Sequence, residues 1–161
     1  MKKTITFNKI YTKRKQSKSW NIEPLLLVHP KQQEAINQLF LNNSFDHTLL
    51  YQTEIKKKLT GYKAQDKKKT FFDINYFISL QNTIELLVKS KLFCYYCKKS
   101  VFVLYENIRD PKQWTLDRID NEQGHNTDNC VICCLECNLQ RRTLDDKKFK
   151  FTKQFKIIKK E

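Results

Sequence analysis

Six cysteines crowd into one stretch of the chain, between positions 94 and 137. A Cys-x-x-Cys turn presents two thiolates from one bend, and zinc prefers four tetrahedral thiolate or imidazole ligands. Cys94 and Cys97 form the first such pair. Two choices satisfy the second: Cys130-x-x-Cys133, or Cys134-x-x-Cys137, which follows the first pair after 36 residues. Cys130 and Cys133 bracket Val131 and Ile132 in an apolar run, where free cysteines behave as small buried hydrophobes. Cys134-Leu-Glu-Cys137 falls at a change from strand to helix, the better place for a knuckle. Cys94, Cys97, Cys134 and Cys137 are therefore expected to hold one structural Zn2+. Four thiolates leave no open position for water, so this metal is not a catalytic one. Tyr95 and Tyr96, inside the first knuckle, are placed to cover the metal or to stack on bases.

Between and beyond the knuckles runs a second polar series. It reads Leu116-Asp-Arg-Ile-Asp-Asn121, Gly124-His125, Asn129, Cys134-x-x-Cys137-Asn138, and then Arg141. This order resembles the HNH, or ββα-metal, endonucleases, in the branch whose fold is stapled by Cys-x-x-Cys pairs. The resemblance covers residues 93 to 143 and implies a zinc-bound treble-clef-like module. It implies that Asp117 and Asn138 hold a catalytic divalent cation, Mg2+ or Mn2+, against the scissile phosphate, and that Asn129 fixes the intervening loop. The chain as a whole, the run from Trp114 to Asn138 included, also resembles uncharacterised proteins of large DNA viruses.

One position departs from the family pattern. Arg118 stands where the family places the histidine that activates water, and arginine stays protonated at any working pH. Three accounts remain open. His125, seven residues on, can supply the base, since an imidazole titrates near neutrality. Alternatively, metal-activated water needs no strong base and Arg118 stabilises charge on the phosphate. In the third account the site is inactive and the fold serves binding. Asp120 and Asn121 have a plainer reading as turn formers, because Asx side chains bond the backbone two residues on.

Something must position these residues. After Pro30, Ala35, Ile36, Leu39 and Phe40 have helical spacing, closed by Asn42-Asn43-Ser44. A second helix is expected from about Asp46 through Leu49, Leu50 and Ile55 towards Leu59, ended by Gly61. A third carries Ile84, Leu87 and Val88. Ser100–Tyr105, Trp114–Ile119 and Cys130–Cys133 read as strands, and a helix follows Cys134. Leu144, Phe149, Phe151 and Phe155 are expected to pack back on the body. The fold class is thus α+β: a basic arm (1–20), a helical lobe (21–92), the HNH-like zinc module (93–143) and a basic C-terminal segment (144–161).

Charge points to the partner. The net charge is +14 over 161 residues, and polyanions answer such an excess by releasing counterions. The basic residues lie in the flanks: seven in residues 1–19, seven in 53–69 and nine in 141–161. Double-stranded DNA is the expected partner. No apolar run approaches the ~18 residues of a membrane span, and no secretory core follows the first lysines. An intracellular protein, in a nucleic-acid-containing compartment or viral particle, is expected. Six clustered cysteines in a reducing compartment favour metal over disulfides. The function expected is metal-dependent DNA cleavage. Its rivals are a catalytically inactive zinc-stabilised nucleic-acid binder or particle component, and a zinc ribbon for protein contacts.

Overall fold

A computed structural model describes residues 23–155, so the arm at 1–20 and the last six residues lie outside the described range. A short 3-10 turn, Pro24–Leu27, leads into α1, His29–Phe40. Pro30 sits in the first turn of α1, where its missing N–H costs nothing. Ala35, Ile36 and Leu39 are buried, as their spacing predicts. α3, Leu80–Lys89, is capped by Ser79, whose hydroxyl accepts from Asn82 N, and it turns Ile84 and Leu87 onto α1.

α2 runs from Thr48 to Lys68 and passes straight through Gly61. The expected stop fails because tertiary contacts hold the turns beyond it. Tyr62 Oη accepts from Leu116 N, and the Asp66 carboxylate accepts from His125. A Cβ added at Gly61 meets nothing within 4 Å. Gly61→Ala should therefore raise stability by about 0.5–1 kcal/mol, the usual helix-interior cost of glycine, read as a higher denaturation midpoint.

Residues 100–105 do not form a strand. Val101 N and Phe102 N donate to Leu92 O and Lys112 O, and the next two residues are held by the buried side chain of Gln32. Its Oε1 accepts from Val103 N (2.7 Å) and Leu104 N (3.0 Å), and its Nε2 donates to Leu104 O (2.9 Å). Only isolated bridges remain, Phe93 to Ser100 and Phe102 to Gln113. β1, Trp114–Arg118, pairs antiparallel with β2, Cys130–Cys134, in a register that sets Leu116 opposite Ile132 and Asp117 opposite Val131. α4, Leu135–Arg141, follows β2 directly and packs on both strands.

α5, Asp146–Gln154, is capped by Asp145, whose Oδ1 accepts from Lys148 N. Phe149 alone among the expected apolar residues is buried there, edge-on to Tyr96 at 5.0 Å. Leu144, Phe151 and Phe155 stay exposed. Phe151, on the face of α5 turned away from Phe149, packs its ring 5.3 Å from that of Phe155 just beyond the helix. The described residues thus form a mixed α+β fold of five α-helices and one two-stranded sheet.

Candidate metal centre and adjoining polar site

Two knuckles meet at the end of the hairpin. In the first, Cys94 N donates to Lys99 O and Lys98 N to Cys94 O, with Lys98 in the left-handed region at φ 61°. In the second, Cys134 caps α4, its sulfur accepting from Cys137 N at 3.4 Å. The four sulfurs of Cys94, Cys97, Cys134 and Cys137 lie within 4.8 Å of one another. Zn–S bonds of ~2.3 Å in a tetrahedron require sulfurs roughly 3.8 Å apart, and Cys97 Sγ stands 3.9 Å from Cys134 Sγ. The four cysteines can hold a structural metal ion such as zinc.

The thiols themselves favour one. Hydrogen bonds from Cys134 and Cys137 pull the Cys94 pKa well down, whereas hydrogen bonding to Cys134 and Cys94 pushes that of Cys137 up. Thiolates packed this closely repel one another, and a cation among them offsets that repulsion. Cys130 and Cys133 lie outside the cluster. Burial raises the Cys130 thiol to about 12 and the Cys133 thiol well above its ordinary value.

Asp117 is only 6% exposed. Its Oδ2 accepts from Tyr96 Oη (2.6 Å) and from Arg141 Nη1 (2.9 Å). Arg141, fully buried, also donates to Arg118 O and Ile119 O, tying α4 to the end of β1. Burial, then the hydrogen bond to Asp117, drives the Tyr96 pKa far up, so its hydroxyl keeps its proton. Asn138 Nδ2 donates to Leu116 O and Thr115 Oγ1, both at 3.1 Å. Among the described residues, Oδ1 of Asp117 and Oδ1 of Asn138 accept no hydrogen bond.

The loop from Asp120 to Asn129 is closed by one side chain. Asn129 Oδ1 accepts from Asp120 N (2.8 Å), and its Nδ2 donates to Asp120 O and Gly124 O. Asp120 forms an Asx turn, accepting from Glu122 N and Gln123 Nε2, and the Glu122 amide leads in holding its carboxyl pKa down. Arg118 donates to Gln123 O and lies 5.8 Å from the Phe71 ring.

His125 is buried in this loop. Its Nδ1 is 2.8 Å from Asp66 Oδ1, its backbone N donates to Asp66 Oδ2 (2.6 Å), and its ring stacks on Tyr62 at 4.5 Å. A carboxylate only accepts, so Nδ1 carries the proton and Nε2 keeps the lone pair in the neutral ring. Desolvation lowers the His125 pKa, and Asp66 partly restores it. Arg118 lowers it further and Asp117 raises it slightly.

Gly124 makes this approach possible. A Cβ there would lie 2.7 Å from Phe71 O and 3.0 Å from Asp66 Oδ2. Gly124→Ala should destabilise by about 1–3 kcal/mol, as overpacking does, and should shift the His125 imidazole resonances in an NMR spectrum.

Sequence reasoning missed Asp66, Tyr62 and the Tyr96–Asp117–Arg141 triad. The first two lie more than fifty positions from their partners, with no local signal. Arg141 had one: it is four residues past Cys137, on the same buried face of α4.

Fold and cluster together define a mixed α+β protein with four clustered cysteines able to hold a structural metal ion. Against known proteins, the chain is similar to an uncharacterized protein of Acanthamoeba polyphaga mimivirus, at 29% identity over 136 residues. That stretch is 84% of this chain but 23% of the viral protein, so the chain spans about a quarter of its relative's length. No family profile matches the sequence, and no solved structure matches the fold. No described helix is long and apolar enough to cross a membrane.

Proposed function

We propose that the chain is a divalent-metal-dependent endonuclease of the HNH type, cleaving DNA from a treble-clef module held by structural zinc. The observation that carries this reading is the seating of Asn138. Its amide is anchored on the peptide joining Leu116 to Asp117, with its Oδ1 and the Asp117 Oδ1 both left to bind. Hard oxygen ligands suit Mg2+ or Mn2+, which take the remainder from water and phosphate. A divalent cation held there would neutralise charge developing on the phosphate. The neutral imidazole of His125, its tautomer set by Asp66, is the group that takes a proton from the attacking water. Arg118 adds positive charge facing the same phosphate. The lysines along the exposed side of α2, among them Lys56, Lys57, Lys67 and Lys68, supply the polyanion grip.

A second reading has its own observation. The Asp117 carboxylate is already neutralised by Arg141 and hydrogen-bonded by Tyr96, as a structural acid would be, which favours a zinc-stabilised binder without activity. A plasmid-nicking assay separates the two. Supercoiled plasmid should be nicked with added Mg2+ or Mn2+, and left intact when the cation is withheld or in Asp117→Asn and Asn138→Ala. Asparagine is the informative change at 117, because it still accepts from Arg141. Asp117→Ala would strand a buried guanidinium and cost about 3–5 kcal/mol. A wild type that binds the plasmid but never nicks it under either metal would leave the binder.

A further inference from the structure

One aromatic surface plays no part in the metal centre or the loop beside it. Phe151 on the outer face of α5 and Phe155 just past its end are 65% and 59% exposed, with ring centres 5.3 Å apart. Tyr95 rises beside them from the first knuckle. Lys150 Nζ sits 3.9 Å above its ring and Lys98 Nζ 5.7 Å away. Gln154 Nε2 donates to Tyr96 O at 2.8 Å and fixes the end of α5 against the knuckle. Between them runs an open groove of about 590 Å3 whose walls, among the described residues, include Lys147 and Lys150 but no carboxylate.

The occupant must answer both features. Cations without acids call for an anion, and exposed flat rings call for a flat apolar face. A duplex offers phosphates but hides its base faces in the stack. An acidic peptide offers charge but no plane. Unpaired nucleic acid presents phosphates and base faces together, and base–aromatic stacking is how such strands are held. We infer that this groove binds single-stranded nucleic acid. Phe151 and Phe155 take base faces, while Lys98, Lys147 and Lys150 take phosphates. Lys150 moves from the Tyr95 ring to a phosphate as the strand enters, freeing that ring for a further base. Tyr96, next along the knuckle, is buried and bonds Asp117, so the knuckle that carries Tyr95 also contacts the candidate site. That the groove selects locally unpaired DNA for cutting rests on the endonuclease reading. The binding itself does not.

The test uses the full zinc-loaded chain and fluorescence anisotropy with three probes: oligothymidine, an abasic strand of equal length, and a duplex. Phe151→Leu and Phe155→Leu keep apolar bulk and helix propensity but remove the flat ring. Each should weaken oligothymidine binding on the order of tenfold, leave duplex binding unchanged, and leave the already weaker abasic strand unaffected. Phe151→Trp should keep affinity, and its indole fluorescence should be quenched by oligothymidine, a readout that stands even if the leucine variants lose α5. Equal binding of abasic and thymidine strands would overturn the proposal. So would leucine variants that retain zinc and helix and bind oligothymidine like wild type. Loss of phosphatidylserine-vesicle binding in those variants, with oligothymidine binding intact, would assign the rings to a membrane surface instead. None of these outcomes requires the chain to cut DNA.

Discussion

Removing the bound metal with a strong chelator is expected to unfold the hairpin and everything rooted on it. Structural zinc sites contribute about 10–16 kcal/mol of apparent binding free energy at neutral pH, as much as the whole stability of an ordinary domain. Here the four thiols join residues 94–97 to the β2–α4 junction, where four thiols without a cation make no bond of comparable strength. The hairpin has only two strands, which alone are marginal in water. α4 is a helix of seven residues, too short to persist by itself. Cys137→Ser should lower the metal content from about one ion per chain to near none and abolish the cooperative thermal transition of this region. Cys130→Ala should keep the metal, because its thiol lies outside the cluster. Atomic emission on both variants decides the matter: metal lost from Cys130→Ala but kept in Cys137→Ser would reassign the second pair.

The second large effect belongs to His125. If it is the base, His125→Ala should slow nicking on the order of 10²–10⁴-fold without changing the bound zinc. The pH dependence is the sharper measurement. An exposed histidine titrates near pH ~6.5, but burial lowers the His125 pKa. The acid limb of the rate profile should therefore fall below pH ~6.5, with a plateau at neutrality. Asp66 raises this pKa, so Asp66→Asn should move the limb further towards acid as well as lowering the rate. Stability follows the same sign. A histidine whose folded pKa is depressed contributes stability fully present above its unfolded pKa. That contribution is lost as pH falls from ~6.5 towards the lower folded value. Activity that ignores His125→Ala and vanishes with Arg118→Ala would move the chemistry to arginine.

Much of the scaffold was legible because it is local. α1 and α3 declare themselves by apolar spacing, the strands by the runs at Trp114 and Cys130, and the metal knuckles by cysteine spacing. What failed depended on distance along the chain. Ser100–Tyr105 has a strand's composition, but a glutamine 72 positions before Leu104 bonds Val103 and Leu104, and Val101 and Phe102 bond two different segments, in place of one partner strand. Gly61 has a stop signal's identity, yet contacts made by Tyr62 and Asp66 carry α2 past it. The polar site divides the same way. Asp117, Asn129 and Asn138 could be named from their order, but the acid that orients His125 is 59 positions away from it. No pattern in the sequence pairs them.

That distant acid bears on how portable the cysteine-rich segment is. Residues 93–143 contain all four clustered thiols and both strands, and so look like a unit that could be cut out and grafted elsewhere. Yet the loop between the strands hangs from α2, through Asp66 on His125 and Tyr62 on the first strand's backbone. A transplanted segment would carry its metal centre intact and leave its histidine unmoored. The backbone of Val103 and Leu104 hangs in turn from Gln32, so the smallest transferable piece of this protein begins no later than α1.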